Sequence, residues 1–530
     1  MWDFLFCLSP FLFLLVTSML LRWQRLCHLT EHGAQHLGWC AWNIICWVLE
    51  LPQTVDLGPH REGAEVRLIC KPTALASYLI KNCGTLTRPQ LAGRPRGDPH
   101  LQIFLNLVWP VEEGVPEQGG ISFTRDHLLL RDGGIVALDW AVGFRSERAT
   151  AKQEQQVGVK VLGYHSSNPP ILILVPNALG RMTPHLLSLC SVALQQGFYP
   201  VVFHRRGHSG CPLSTPRYQE FGDPSDLVQA IAYLRSRHPS SALVAVSEGS
   251  GSGLLLSYLG ECGSSSYLMA AACISPVFHG QLWFETPVPQ IYHWVALFYR
   301  KLQISRYATA LSSVMDVEQI LHCRSLRDME ELMFCAAKQS AHRSTEPETQ
   351  GGEEGVKDHS KTDWAGYWER NEPLRDADEV AVPVLCLYSC DDPLLPPSST
   401  LPMSLFQNNP YFLLAMTNSG SHCGFMQEGK GDAGALMWSH MVVLEYFKVV
   451  ADFFRMEEWK VNCRRDTGVG DTQGARMRTS AALPRRRRAS LVRRVRSTSG
   501  PRARLRCSHS EVDTLEEEQS IFTWNRSYTR

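Results

Sequence analysis

One continuous stretch, residues 243–260, most constrains what this chain can fold into. An apolar, β-branched run from Leu243 to Val246 ends at a cluster of serines and glycines, and an apolar run with helical spacing, Leu254 to Leu259, follows at once. This pattern predicts a strand, a tight turn and a helix in immediate succession. Such a turn presents the side chain of its central residue above the edge of a sheet, so a serine there would be an exposed nucleophile.

Strands and helices alternate on both sides of this stretch. We expect a hairpin over 128–140 that turns at Asp132, Gly133 and Gly134, and a fully buried strand at Ile171–Val175. Alternation of this kind is typical of an α/β protein with a doubly wound, mostly parallel sheet. The other predicted elements are helices over 186–196 and 225–235 and strands over 200–203, 382–388 and 411–416.

Composition narrows the classes of function. A chain of 530 residues can form an α/β core with long appendages, and a formal net charge of zero argues against a general nucleic-acid binder. The 17 cysteines show no metal-site spacing, and no glycine-rich phosphate loop occurs. We therefore expect neither a metal nor a nucleotide cofactor.

The first 25 residues predict a membrane anchor. The chain is almost wholly apolar from Trp2 to Leu21, and Arg22 and Arg25 follow. Because no cleavage site follows the apolar run, we expect an uncleaved single-pass anchor with the folded domain in the cytosol, at the endoplasmic reticulum or a related membrane. Secretion is the alternative. A second apolar patch, 37–49 in the juxtamembrane segment 26–96, is too short to span, and either lies in the interface or packs on the domain as a helix.

Five short motifs stand out within residues 97–456. They are Pro-His-Leu-Gln from Pro99, the Asp-Gly-Gly hairpin that ends in Leu138-Asp139-Trp140, Arg206-Gly207, Gly222-Asp223 with Asp226-Leu227, and Tyr258-Leu259-Gly260-Glu261. In combination they resemble those of the membrane-anchored abhydrolase-domain esterases of the α/β-hydrolase superfamily. The resemblance implies an α/β-hydrolase fold over 97–456, with a helical cap between Phe278 and Phe334.

Two members of a catalytic triad follow the chain order of this family. Asp392 comes after the predicted strand 382–388, and His422 lies in a glycine-rich loop after the strand 411–416. In a working enzyme, His422 would take the proton of a serine nucleophile, and Asp392 would fix the tautomer of the ring. Asp392 fits the family spacing better than Asp391.

The nucleophile position departs from the family pattern G-x-S-x-G. An alignment without gaps places Gly249 there, and glycine has no side chain that can attack a substrate. The alternative register takes Ser247 as the nucleophile, in the variant Ala245-x-Ser247-x-Gly249, but it needs extra residues between the turn and the helix. Neither Ser250 nor Ser252 has glycines at the two flanking positions that the G-x-S-x-G pattern requires.

The loop that would stabilise an oxyanion also departs from the family. Asn177, followed by Ala178, stands where related proteins have glycine. Asparagine tolerates unusual backbone angles, and its amide can donate a hydrogen bond. The substitution therefore does not by itself abolish an oxyanion site.

Two appendages are expected to be disordered. Residues 341–361 form a polar insertion, and residues 457–530 form a basic tail. Arg-Arg-x-Ser at Ser490 and Arg-x-Arg-x-x-Ser at Ser499 predict phosphorylation by basophilic kinases, and the second site also fits a motif of phosphoserine-binding adaptor proteins. The terminal pair Phe522 and Trp524 predicts docking on the domain or on a partner protein.

Two functional hypotheses therefore stay open. The first is a membrane-associated protein of lipid metabolism that lacks a nucleophile and regulates lipid breakdown through partner binding and tail phosphorylation. The second is a serine carboxylesterase or lipase that hydrolyses acyl esters with Ser247, Asp392 and His422. Both allow a lipid or acyl-ester ligand, and neither requires a cofactor.

Overall fold

The computed structural model describes residues 33–52, 66–93, 96–108, 121–143, 169–335, 363–427 and 437–466. The anchor expected over 1–25, the insertion over 341–361, Ser490, Ser499 and the terminal aromatic pair lie outside these residues. Within the described ranges, no helix is both long and apolar enough to cross a bilayer.

The described residues form a mostly parallel sheet. Its strands are β1 Arg67–Ile69, β2 Ile121–Leu129, β3 Ile135–Gly143, β4 Ile171–Val175, β5 Tyr199–His204, β6 Leu243–Glu248, β7 Leu268–Ile274, β8 Val384–Ser389 and β9 Phe412–Thr417. Their order is β1-β9-β8-β7-β6-β4-β5-β3-β2. Strands β4 to β9 are parallel, the β2–β3 hairpin pairs antiparallel with β5, and β1 pairs antiparallel with β9. This confirms the predicted doubly wound sheet and its hairpin.

Helices cover both faces of the sheet. Successive side chains of a strand point to opposite faces, and alternate residues of β4 pack into two separate apolar clusters. Because both faces are buried, the parallel strands are continuous apolar runs in the sequence. The helices on one face are Ser225–Arg237 and Gly251–Cys262, and those on the other are Ala74–Asn82, Pro184–Gln195 and Trp438–Asp466.

The described residues between β7 and β8 are mostly helical, as the resemblance implies for a cap. Several of its residues form an apolar core of their own, which includes Leu297, Ile304, Ile320 and Met329. We call the following the cap helices: Gly280–Glu285, Gln290–Arg306, Ala308–Leu311, Val317–His322, Leu326–Phe334 and Trp364–Asn371. The remaining short helical elements are Gly84–Thr87, Pro99–Ile103, Phe104–Val108, Gly263–Ser265, Ala377–Glu379, Ser398–Thr400 and Met403–Asn408.

The chain divides into two compact units. One contains residues 1–59 and 288–294, and its described part includes the helix Gly33–Val48, in which Trp42 is buried and Trp47 is exposed. The apolar patch at 37–49 is therefore helical. The other unit contains residues 60–287 and 295–530, and it holds the entire sheet.

Two of the boundaries that differ from the sequence prediction concern the elbow and the expected tail. Strand β6 continues through Ser247 and Glu248 instead of ending at Val246, because both residues pair with β7. The last helix continues to Asp466, past the domain boundary expected at 456. No glycine or proline interrupts residues 457–466, so the first residues of the expected tail extend the helix.

Candidate active site

The turn after β6 has the strand–turn–helix form expected for a nucleophile elbow. The strand ends at Glu248, Gly249 adopts φ +50°, and the helix begins at Gly251. A side chain in this left-handed region is strained, which favours glycine. A Cβ on Gly251 would lie 2.3 Å from the carbonyl oxygen of Pro176, so the turn can pack this closely on the end of β4 only with glycine there.

Asp392 and His422 lie together at the carboxyl ends of β8 and β9. Nδ1 of His422 is 2.8 Å from Oδ2 of Asp392, and both residues are buried. Oδ1 of Asp392 accepts a hydrogen bond from the backbone N–H of Leu394. Asp391 instead accepts the backbone N–H of Ser421 at 2.8 Å and so anchors the histidine loop. Of the two neighbouring aspartates, Asp392 is therefore the partner of the ring.

The environment of His422 favours its charged form. Burial is the largest single influence and lowers the pKa of the ring, but the negative charge of Asp392, the hydrogen bond to Asp392 and the neighbouring Cys423 together outweigh burial and hold the pKa well above 6.5. The stability that this pair contributes is complete below the unfolded-state pKa of about 6.5 and is lost as pH rises through the higher folded-state pKa.

We expect Asp392→Asn to lower the pKa of His422, because the substitution removes the charge that holds the proton on the ring. An NMR titration of ¹³C-labelled histidines measures that pKa directly. Asp391→Asn is the matched control, since Asp391 bonds the loop backbone and not the ring. Equal effects of the two substitutions would contradict the assignment of Asp392 as the dominant charge.

Gly249, and not Ser247, is the elbow residue that faces the histidine. A Cβ on Gly249 would lie 2.7 Å from Nε2 of His422. The hydroxyl of Ser247 is buried inside β6 and has no hydrogen-bond partner among the described residues. The geometry therefore matches the alignment without gaps, in which the nucleophile position has no side chain.

The oxyanion loop donates one of its backbone N–H groups to the elbow itself. The N–H of Ala178 donates to Oγ of Ser250 at 2.9 Å. The side-chain oxygen of Asn177 accepts the N–H of Leu179, and its amide nitrogen donates to Glu248 at 3.4 Å. An oxyanion hole needs donors that are free to meet the substrate. Here the N–H of Ala178 and the amide of Asn177 are already engaged.

Glu248 is a site residue that the sequence analysis missed. It is 1% exposed and accepts a hydrogen bond from Oγ1 of Thr183 at 2.8 Å, while Nδ1 of His185 is 3.4 Å from the same carboxylate oxygen. Its position between Ser247 and Gly249 gave no signal, because a glutamate after an apolar run normally marks the exposed end of a strand. A carboxylate next to the oxyanion loop opposes the development of negative charge there.

Across the described ranges, no group of three histidine, cysteine, aspartate or glutamate side chains is arranged to hold a metal ion. The arrangement that is present can orient an imidazolium over a turn that lacks a nucleophile.

Comparisons with known proteins give the family. The chain matches no protein-family model. It is 45% identical to human Protein ABHD15 over 87% of this chain and 85% of that protein. It is 25% identical to human Phospholipase ABHD3 (63% and 71% of the two chains) and 23% identical to zebrafish Monoacylglycerol lipase ABHD2 (76% and 89%). Among solved structures, an esterase of Pyrococcus furiosus aligns with 57% of this chain and 84% of its own, at 12% identity and a TM-score of 0.34.

The relation to ABHD15 extends over most of both chains, and the relatives named above include proteins of lipid metabolism. The parallel sheet, the elbow after β6 and the Asp392–His422 pair agree with the fold that this relation implies. The chain thus belongs to the ABHD family of α/β-hydrolase-fold proteins.

Proposed function

We propose that this protein is a non-catalytic member of the ABHD family that regulates lipid breakdown through partner binding. The observation that carries the proposal is Gly249, which stands opposite Nε2 of His422 where a serine hydroxyl would have to be. Without that hydroxyl, no acyl-enzyme intermediate can form at the elbow.

Two further features support loss of the chemistry. The N–H of Ala178 is already bound by Ser250, and the buried Glu248 places a carboxylate beside the same loop. A preserved fold without a working catalytic site suits a protein that binds a lipid without hydrolysing it, or that binds a protein partner.

Serine esterase or lipase activity on acyl esters is the second candidate. It is favoured by the Asp392–His422 hydrogen bond, because a site without catalytic activity does not need this pair. The names of ABHD3 and ABHD2 describe a phospholipase and a monoacylglycerol lipase. In this chain, such activity would require Ser247 to leave β6 and approach His422.

A fluorophosphonate serine-hydrolase probe distinguishes the two candidates. We expect no covalent labelling of the folded wild-type protein, because no serine hydroxyl is activated at the elbow. The measurement is in-gel fluorescence of purified full-length protein, with Ser247→Ala, Ser250→Ala and His422→Ala as comparison variants. Wild-type labelling that disappears in both Ser247→Ala and His422→Ala would establish the esterase candidate instead.

The regulatory part of the proposal concerns the appendages. We propose that residues 1–25 anchor the protein in a membrane and that its folded domain lies in the cytosol. Kinases would phosphorylate Ser490 and Ser499, and an adaptor protein would bind phosphorylated Ser499, as the sequence motifs indicate. The test is whether the phosphorylated chain recovers an adaptor protein from a cell lysate. Recovery that is lost in Ser499→Ala but unchanged in Ser490→Ala would support the assignment of the adaptor motif. Unaltered recovery in Ser499→Ala would remove it.

A further inference from the structure

The turn after β5 carries a buried arginine whose charge is not paired. Arg205 is 6% exposed, and its guanidinium makes no hydrogen bond or ion pair with any residue in the described ranges. Its Nη2 is completely enclosed. A guanidinium taken out of water normally has a carboxylate or phosphate partner, because an unpaired buried charge is strongly disfavoured.

The carboxylates whose charges act on Arg205 already have other partners. The nearby cation Arg300 adds a second positive charge to the cluster, and burial together with this charge lowers the pKa of Arg205 to about 10. The cluster therefore holds more positive than negative charge. The engaged carboxylates are Glu330, bound by Arg300 at 3.0 Å and by Tyr367 at 2.7 Å, and Asp223, bound by Arg217 at 2.7 Å.

The cluster lies beside the candidate active site. Arg300 extends from a cap helix to the oxyanion loop, where its Nη1 is 3.5 Å from the carbonyl oxygen of Ala178. The guanidinium of Arg300 also lies 5.2 Å from the centre of the Tyr218 ring. His208 lies near both arginines and stays neutral, because burial and the charges of Arg205 and Arg300 lower its pKa to about 3.

A cavity of about 100 Å³ is separated from the cluster by the side chain of Gln303, and neither Arg205 nor Arg300 lines it. Gln303 lines this cavity and also accepts a hydrogen bond from the hydroxyl of Tyr218, so it stands between the cavity and the arginines. Arg181 and Arg306 line the cavity as well, and neither has an ion-pair partner in the ranges that the structure describes. Both the cluster and its nearest cavity are therefore cationic.

We propose that Arg205 and Arg300 bind the phosphate group of a phosphate-bearing ligand, which reaches them through this cavity when the side chain of Gln303 moves aside. Phosphate oxygens match the planar fork of a guanidinium and accept two parallel hydrogen bonds from it. The ligand is either a lipid with an anionic phosphate headgroup or a soluble phosphate compound. This site goes beyond the proposed regulatory function and does not depend on whether the elbow is catalytic.

Calorimetric titration of the purified full-length protein tests the site with three probes: monomeric lysophosphatidate, inorganic phosphate and oleate. We expect the phosphate probes to bind wild type and Arg205→Met to lose roughly 10- to 100-fold in affinity, as the removal of a charged hydrogen-bonding partner predicts. Arg237→Met is the matched control, because it removes the same charge from an exposed position at the end of a helix. Binding of lysophosphatidate alone identifies a lipid, and equal binding of inorganic phosphate identifies the phosphate group itself.

Thermal unfolding of the same variants provides the second measurement. If Arg205 is unpaired in the free protein, Arg205→Met does not lower the melting temperature. A melting temperature lowered by several degrees would show that a carboxylate of the chain itself pairs with Arg205, and would overturn the site. No binding of either phosphate probe to folded wild type, or binding of all three probes unchanged by Arg205→Met, would also overturn it.

Discussion

Replacing Gly249 by serine is expected to give a protein that reacts covalently with a fluorophosphonate probe, whereas the wild type does not. The Cβ of the new residue would lie 2.7 Å from Nε2 of His422, so a small shift of the ring leaves the hydroxyl within hydrogen-bond reach. General-base assistance contributes about 10²- to 10⁴-fold to a rate, and we expect labelling at least ~100-fold above that of wild type. In-gel fluorescence of the purified variant measures the effect.

Gly249→Ala is the matched control, because it adds the same Cβ without a hydroxyl. Both variants place a side chain at φ +50°, which costs about 1–3 kcal/mol of stability, so thermal unfolding must show that each is folded. Ser250→Ala in the Gly249→Ser background should raise the labelling further, because it releases the N–H of Ala178. A folded Gly249→Ser protein that stays unlabelled would show that Gly249 is not the nucleophile position.

The largest loss of stability is expected from Asp226→Ala. Asp226 accepts two hydrogen bonds from Arg206, at 2.6 and 2.5 Å, and both side chains are almost fully buried. Asp226→Ala leaves the buried Arg206 with one carboxylate partner, Asp132 at 2.7 Å, which is 36% exposed, so we expect the free energy of unfolding to fall by up to about 3–5 kcal/mol. Urea unfolding followed by tryptophan fluorescence measures this change.

Asp223→Ala is the surface control for this experiment. Its ion pair with Arg217 is 2.7 Å long, but the arginine side chain is 50% exposed. Exposed pairs contribute about 0–1 kcal/mol. The same carboxylate also accepts the backbone N–H of Ser225 at 3.0 Å, so the control should lose some stability, but less than Asp226→Ala. Equal losses in the two variants would mean that the Arg206–Asp226 pair does not determine the stability of the turn that follows β5.

Local patterns in the sequence were sufficient for most of the sheet. The apolar run Ile171–Val175 is a strand with those bounds, and the turn at Asp132–Gly134 joins β2 to β3. These features depend on residues that are neighbours in the chain, where β propensity, burial and turn chemistry act together. The end of β6 was less predictable, because Ser247 and Glu248 are strand residues only through their pairing with β7.

Contacts between distant segments could not be derived from such patterns. The bond from Ala178 to Ser250 joins residues 72 positions apart, and the bond from Asn177 to Glu248 joins residues 71 positions apart. Neither Ser250 nor Glu248 has a distinctive sequence context for these roles. Likewise, the isolation of Arg205 depends on which neighbouring carboxylates other cations have already paired with.

By itself, the sequence determined the alternation of strands and helices, the elbow between a strand and a helix, and the chain order of Asp392 and His422, because each follows from local composition and spacing. Only the tertiary structure decided which elbow residue faces His422, since two registers were compatible with the sequence. The length of β6 and the positive φ of Gly249 place that glycine, and not Ser247, opposite the ring. Packing of segments far apart in the chain sets that geometry, and it decides whether the elbow carries a nucleophile.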